Sequence, residues 1–280
     1  MKVRSDRPAP DQGHRVPSPK VIATTENSAA LHATPAASTL PDASAPAIAR
    51  EGLPIVAIFV VVSALLGAAA VYYLGPAGWA VVLAGVVLTG WCVWFFRDPA
   101  RSISADPDAV VSPADGRVVY VGPSTLPPEL GLSERASAGM RRVSIFMNVF
   151  DVHVNRAPVT GLIVAAHDFK GKFFNAALDK ASVENERFTV VVKVPDGRLV
   201  VVTQIAGLVA RRIVKKVREG ERFERGRRYG LIRFGSRVDV FFPPGSEPTV
   251  RVGDRTLAGS SVIGRLGVAP APGASDAAPR

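Results

Sequence analysis

Near the end of the chain, Leu257-Ala258-Gly259-Ser260-Ser261-Val262-Ile263 sets two hydroxyls directly after a glycine, between apolar residues. Glycine has no Cβ, so the backbone there can bend sharply and let the Ser260 hydroxyl approach the Gly259 carbonyl. Attack by that oxygen would turn the amide into an ester, and removal of the Ser260 α-proton would then break the chain by β-elimination. The serine left behind would become dehydroalanine and then a pyruvoyl group. That ketone, at a new N-terminus, is an electrophile that no unmodified side chain offers. Gly-Ser-Ser is also an ordinary turn composition, so the reading depends on what the rest of the chain brings to it.

Such chemistry needs a base. Of four histidines, His14 and His32 lie in the N-terminal arm, which leaves His153 and His167. His153, between valines in Asp151-Val152-His153-Val154-Asn155-Arg156, is the better acid–base candidate. A histidine in that setting equally suits a packed core. Asp115, in Ser112-Pro113-Ala114-Asp115-Gly116, offers a carboxylate. Asp-Gly between β-branched runs is equally a hairpin signal, predicting strands either side of it. The single cysteine, Cys92, permits no intrachain disulfide and no cysteine metal cluster, and a metal centre is not expected.

The elements that must position these groups fall into four stretches. Residues 1–50 are rich in Ala, Pro, Ser and Thr and are expected to be a disordered arm, as is the tail 268–280. Leu53 to Phe96 is a run of 44 residues without a charge, broken near its middle by Gly75-Pro76-Ala77-Gly78. Each half is about the ~20 residues that span a bilayer as a helix. Residues 51–97 therefore predict a transmembrane helical hairpin, with Tyr72, Tyr73 and Trp79 at its turn and Trp91 and Trp94 near its other end. Arg50, Arg97 and Arg101 flank the open end, which places the rest of the chain on the cytoplasmic side of the cell membrane by the positive-inside rule.

Residues 98–267 carry short β-branched runs punctuated by Gly, Pro and Asp turns and no long amphipathic helix, so a mainly β, antiparallel catalytic domain is expected. Phe188–Val194 and Arg198–Ala206 predict a hairpin closed by Pro195-Asp196-Gly197, and Thr249–Val252 predicts a strand. From residue 97 onward there are 28 basic and 19 acidic residues, with Arg211, Arg212, Lys215 and Lys216 clustered. That balance alone suits nucleic acid or an anionic membrane surface; the hairpin favours the membrane.

The segments FFRDP, SPADG, NVFDVHVNRAPVTG, GKFFNAALDKASVENER, QIAGLVARRIV, YGLIRFGSRVDVFFP and AGSSVIG occur in that order between Phe95 and Leu266. Together they resemble the phosphatidylserine decarboxylase proenzymes of the short, membrane-anchored prokaryotic type. The resemblance implies self-cleavage at Gly259-Ser260 into a β-chain, 1–259, and an α-chain of 21 residues headed by the pyruvoyl group. It implies that Asp115, His153 and Ser260 drive this maturation. It also implies that phosphatidylserine condenses with the ketone as a Schiff base, loses CO₂ into that electron sink, and leaves as phosphatidylethanolamine. No nucleic-acid partner follows from it, and a homo-oligomer stays open. Longer relatives carry a second histidine three residues before the one matching His153, where this chain has Phe150, so the group that protonates the product stays open. From the residues alone, a serine hydrolase using Asp115, His153 and Ser260, or a membrane-tethered module of the biotinyl or lipoyl kind, would also account for parts of the pattern.

Overall fold

The computed structural model describes residues 47–127, 130–132, 138–171, 176, 184–207, 212–233 and 235–267. Of the arm expected to be disordered over residues 1–50, residues 1–46 lie outside the described residues, as do the tail, Arg211 and most of the GKFFNAALDKASVENER segment; residues 47–50 are ordered instead, with Ile48 bridged to Arg97 and Ala49 buried.

The apolar run folds as two helices, α1 (Leu53–Leu74) and α2 (Trp79–Phe95), joined by one 3-10 turn over Gly75–Gly78. Pro54 stands in the first turn of α1, where its missing N–H leaves no hydrogen bond unmade. The helices double back on each other because small residues meet along the seam. A Cβ on Gly78 would lie 2.4 Å from the Ala70 backbone, and one on Gly85 would lie 2.8 Å from Ser63 Cβ. The outer faces stay bare, with Leu65, Leu83 and Leu88 all more than half exposed. At about 1.5 Å per residue, the 22 residues of α1 reach about 33 Å, enough for a hydrocarbon core. The helical stretch Arg50–Phe95 is thus long and apolar enough to cross a membrane, and the chain is membrane-associated through it.

The open end of the hairpin is tied to the rest of the chain. Ala49 N–H donates to the Phe96 carbonyl at 2.8 Å, and Asp98 N–H donates to the Ala47 carbonyl at 2.8 Å. Phe96 is fully buried in a cluster with Phe95, Cys92, Val152, Val154 and Leu231. Burying a Phe side chain of that size contributes about 1.5–3 kcal/mol, so the entry to the β-domain is packed rather than a loose tether.

In chain order the strands are β1 (Ala109–Val111), β2 (Gly116–Pro123), β3 (Arg141–Met147), β4 (Val154–Arg156), β5 (Gly161–Phe169), β6 (Arg187–Lys193), β7 (Leu199–Ala206), β8 (Ile213–Lys215), β9 (Arg222–Phe223), β10 (Arg228–Ile232), β11 (Ser236–Phe242), β12 (Glu247–Pro248), β13 (Arg255–Thr256) and β14 (Val262–Arg265). Among the described residues they form three sheets, ordered β13-β2-β3-β11-β7-β6-β5-β9, β4-β10-β8 and β1-β14-β12, with antiparallel pairing throughout. The long sheet buries both faces. Val190, Val192, Val200, Val202, Val238 and Val240 point into one core, while Val191, Val201 and Phe241 point into a second. Near-continuous β-branched runs, rather than alternating ones, are what two-sided burial demands.

The hairpin predicted at Pro195-Asp196-Gly197 is present: β6 and β7 pair in register, and Asp196 accepts the Arg198 N–H at 3.1 Å. The one predicted at Asp115-Gly116 is not. β1 pairs with β14, whereas β2 pairs with β3 and β13, so Ser112–Asp115 connects two sheets. The polar groups of that connector bond to the Gly259-Ser260 segment instead of closing a turn. The strand predicted over Thr249–Val252 is also replaced by a loop, with pairing one step earlier at β12.

Candidate active site

Around Ser260 the backbone is clamped on both sides by one residue. Gly259 N–H donates to the Ser112 carbonyl at 2.7 Å, and Ser112 N–H donates to the Ser261 carbonyl at 2.7 Å. Ser260 is thereby held at the tip of a tight turn. Its N–H and that of Ser261 both point to the Leu257 carbonyl, at 3.1 and 3.0 Å, and the Ser261 hydroxyl accepts the Leu257 N–H at 2.9 Å. Gly259 adopts φ +78°, the left-handed region open to glycine, and a Cβ there would sit 3.0 Å from Ile103 Cδ1 and 3.1 Å from Arg156 Cδ. Glycine is therefore required twice, for its torsion and for its lack of bulk.

Asp115 reaches this turn directly. One carboxylate oxygen accepts the Ala258 N–H at 2.7 Å and the other accepts from the Arg101 guanidinium at 2.7 Å. Burial pushes the Asp115 carboxyl above its ordinary range, opposed by the Ala258 N–H and by Arg101 and reinforced by the negative charge of Asp151. The connector is locked from behind as well. Ser112 Oγ donates to the Ala114 carbonyl at 2.6 Å, Thr256 Oγ1 donates to the same oxygen at 3.1 Å, and the Arg156 N–H holds the Pro113 carbonyl at 2.9 Å.

His153 lies in the approach to β4, fully buried, with its ring 4.2 Å from the Phe95 ring centroid to centroid. Its Nδ1 is 2.9 Å from the Asp151 carbonyl. A carbonyl can only accept, so Nδ1 carries the proton and Nε2 carries the lone pair. Nε2 is buried and has no hydrogen-bond partner among the described residues. Burial, with a smaller contribution from the Arg97 charge, brings the His153 pKa down to about 4 against the hydrogen bond that His153 donates to the Asp151 carbonyl, which acts the other way. The ring is thus neutral at physiological pH, in a fixed tautomer, with a free basic nitrogen.

Asp115 bonds to Arg101 and Ala258, and the Asp151 carbonyl orients the His153 imidazole. Asp115, Gly259 and Ser260 come together in one hydrogen-bonded unit, whereas no hydrogen bond joins His153 to Asp115 or Ser260. His167 lies on β5 beside Phe169, in register with Thr189 on β6.

Residues that sequence reasoning did not single out complete the site. Asp98, 2% exposed, holds Arg156 at 2.9 Å and also pairs with Arg228, and Arg156 in turn packs on Gly259. Arg101 and Ile103, in the stretch leaving the membrane hairpin, border the same turn, since a Cβ on Gly259 would stand 3.7 Å from Arg101 Cβ and 3.0 Å from Ile103 Cδ1. The FFRDP motif contains Asp98, yet nothing in its composition points to a partner 58 residues away.

The sequence profile described as phosphatidylserine decarboxylase matches residues 88–264. A phosphatidylserine decarboxylase proenzyme of Magnetococcus marinus is 48% identical over 224 residues, covering 78% of this chain and 95% of that protein. Proteins of the same name from Paramagnetospirillum magneticum and Cereibacter sphaeroides are each 48% identical, over 219 and 217 residues, covering 87% and 89% of their own lengths.

Proposed function

The chain belongs to the phosphatidylserine decarboxylase family, and we propose that it cuts itself between Gly259 and Ser260 and converts phosphatidylserine to phosphatidylethanolamine and CO₂ with the pyruvoyl group so formed. The observation that carries this reading is the turn itself. A left-handed glycine clamped by Ser112 on both flanks, with a buried carboxylate on the preceding N–H, holds one particular peptide bond in a defined tight turn.

The self-cleavage needs the chain's own atoms and one water. The Ser260 hydroxyl loses its proton to a base as its oxygen attacks the Gly259 carbonyl; the amide C–N bond breaks, and the nitrogen takes a proton to become an amine. Loss of the Ser260 α-proton then drives out the Gly259 carboxylate, leaving dehydroalanine. Tautomerisation and attack by water release ammonia and leave a ketone. His153, neutral and with an unpartnered Nε2, is the proposed base for these proton transfers. Asp115 is the proposed anchor of the turn through Ala258. That ketone supplies the electrophile for the substrate amine and the sink for the electron pair left by CO₂.

In this reading residues 51–97 anchor the protein, residues 98–267 form the catalytic domain, and the products are a β-chain of 1–259 and an α-chain of 260–280. The catalytic domain faces the cytoplasm, as the basic residues Arg50 and Arg97 at the open end of the hairpin indicate. An anionic membrane surface is its working partner. In support, Arg97 stacks 4.1 Å above the Trp94 ring, and Trp94 and Phe150 are 55% and 64% exposed beside it. The test is chemical: borohydride added with phosphatidylserine to the wild-type protein should leave the lipid covalently on the 21-residue chain. Label on the large chain, or none on either, contradicts the proposal.

A further inference from the structure

We infer that Arg101 is a positioning residue for self-cleavage: it holds the Asp115 carboxylate, charged, against the Ala258 N–H one residue before the scissile bond. This rests on the maturation reading of Asp115 above. The geometry is specific. Each Asp115 oxygen has a single, separate task, one on Ala258 N and one on Arg101, both at 2.7 Å. The two side chains are 9% and 8% exposed, so water does not substitute readily for either contact. Among the described residues Asp115 is the hydrogen-bond partner of the Arg101 guanidinium, whose buried Nε bonds to nothing. Arg101 Cβ also lies 3.7 Å from where a Gly259 Cβ would stand, so the residue borders the turn it acts on.

A buried carboxylate without a cation protonates. A protonated Asp115 would keep one acceptor but lose the charge that makes its bond to Ala258 N–H strong, and the turn would loosen. Other charges face Asp115 as well. Asp151, from the loop after β3, raises its pKa. Arg97, at the end of α2, feels both Asp115 and Asp151, and Arg255 on β13 stands 3.9 Å from Asp151. Arg101 is the cation of this group that is hydrogen-bonded to Asp115.

The experiment follows self-cleavage of the full chain, synthesised cell-free into phospholipid vesicles and shifted to buffers from pH 5.5 to 8.5. Arg101→Gln should slow cleavage by about tenfold or more at the acid end, the effect of losing a neighbouring opposite charge. The defect should narrow as rising pH ionises Asp115 again. Arg101→Lys should restore most of the rate and keep the wild-type profile, and Asp115→Asn, neutral throughout, should be slowed about tenfold or more at every pH. An Arg101→Gln profile matching wild type overturns the inference. So does a uniform slowing that neither pH nor lysine rescues, the signature of a merely structural arginine. If Asp115→Asn cleaves normally, the maturation role of Asp115 itself is what fails.

Discussion

Gly259→Ala tests the geometry of the scissile turn with one methyl group. At φ +78° an alanine is in the left-handed region, which costs an L-residue about 1–2 kcal/mol. The new Cβ would also stand 3.0 Å from Ile103 Cδ1 and 3.1 Å from Arg156 Cδ, closer than ordinary contact. The Ile103 end can give by a few tenths of an ångström, but Arg156 is fixed by Asp98 and the Gly226 carbonyl. If self-cleavage requires this turn, at about 1.4 kcal/mol per factor of ten the torsion alone predicts a slowing of about 5- to 30-fold, and the contact adds to it. Ile103→Ala in the same chain should recover the contact part and leave the torsional part. Gly253→Ala is the control, since it sits at φ +99° with open space around it and away from the cut. It carries comparable strain without touching the scissile turn. The assay is the time course of the 21-residue fragment by mass spectrometry during cell-free synthesis. Wild-type cleavage in Gly259→Ala, or equal slowing in Gly253→Ala, refutes the argument that this turn sets the rate.

Three other outcomes are expected. His153 has a folded pKa of about 4 against an ordinary 6.5, so the unfolded chain takes up the proton first as pH falls. The stability this contributes is complete above about pH 6.5 and is lost towards pH 4, about 3 kcal/mol in all; thermal unfolding of uncut Ser260→Ala in detergent should show that slope, and His153→Gln in the same background should abolish it. Asp98→Asn removes the carboxylate from a pair 2% exposed on each side and should destabilise by about 3 kcal/mol or more in the same thermal assay; an unchanged midpoint would show the pair to be dispensable. A reporter fused after Arg280 should read as cytoplasmic, and an extracytoplasmic signal would overturn the orientation.

The helical hairpin and the β class were legible in the sequence because both rest on patterns that burial enforces over many residues. An uncharged run must find lipid or a core, and β-branched runs between Gly and Pro turns must pair. Gly259-Ser260 could be singled out because the chemistry proposed for it is local to one peptide bond. Asp115 was singled out as a carboxylate in a predicted hairpin turn. Its Asp-Gly pair does not close a hairpin, because the Ser112 backbone and the Asp115 carboxylate find partners more than 140 residues later in the chain. Contacts of that span leave no periodic trace. Arg101 and Asp98 were invisible for the same reason: beside a membrane helix, basic and acidic residues read as flanking charge, and only folding shows that both are turned inward. The tautomer of His153 could not be read either, since it depends on a backbone carbonyl two residues away and on the turn that aims it.

The central claim is that Ser260 becomes the electrophile, and intact mass of the purified wild-type protein tests it most directly. The account predicts two chains separating between Gly259 and Ser260, the smaller with a blocked N-terminus and a mass lower than its encoded peptide by conversion of serine to pyruvoyl. Ser260→Ala should give one uncut chain and no release of CO₂ from phosphatidylserine. A wild-type chain that stays whole and still decarboxylates phosphatidylserine would contradict it.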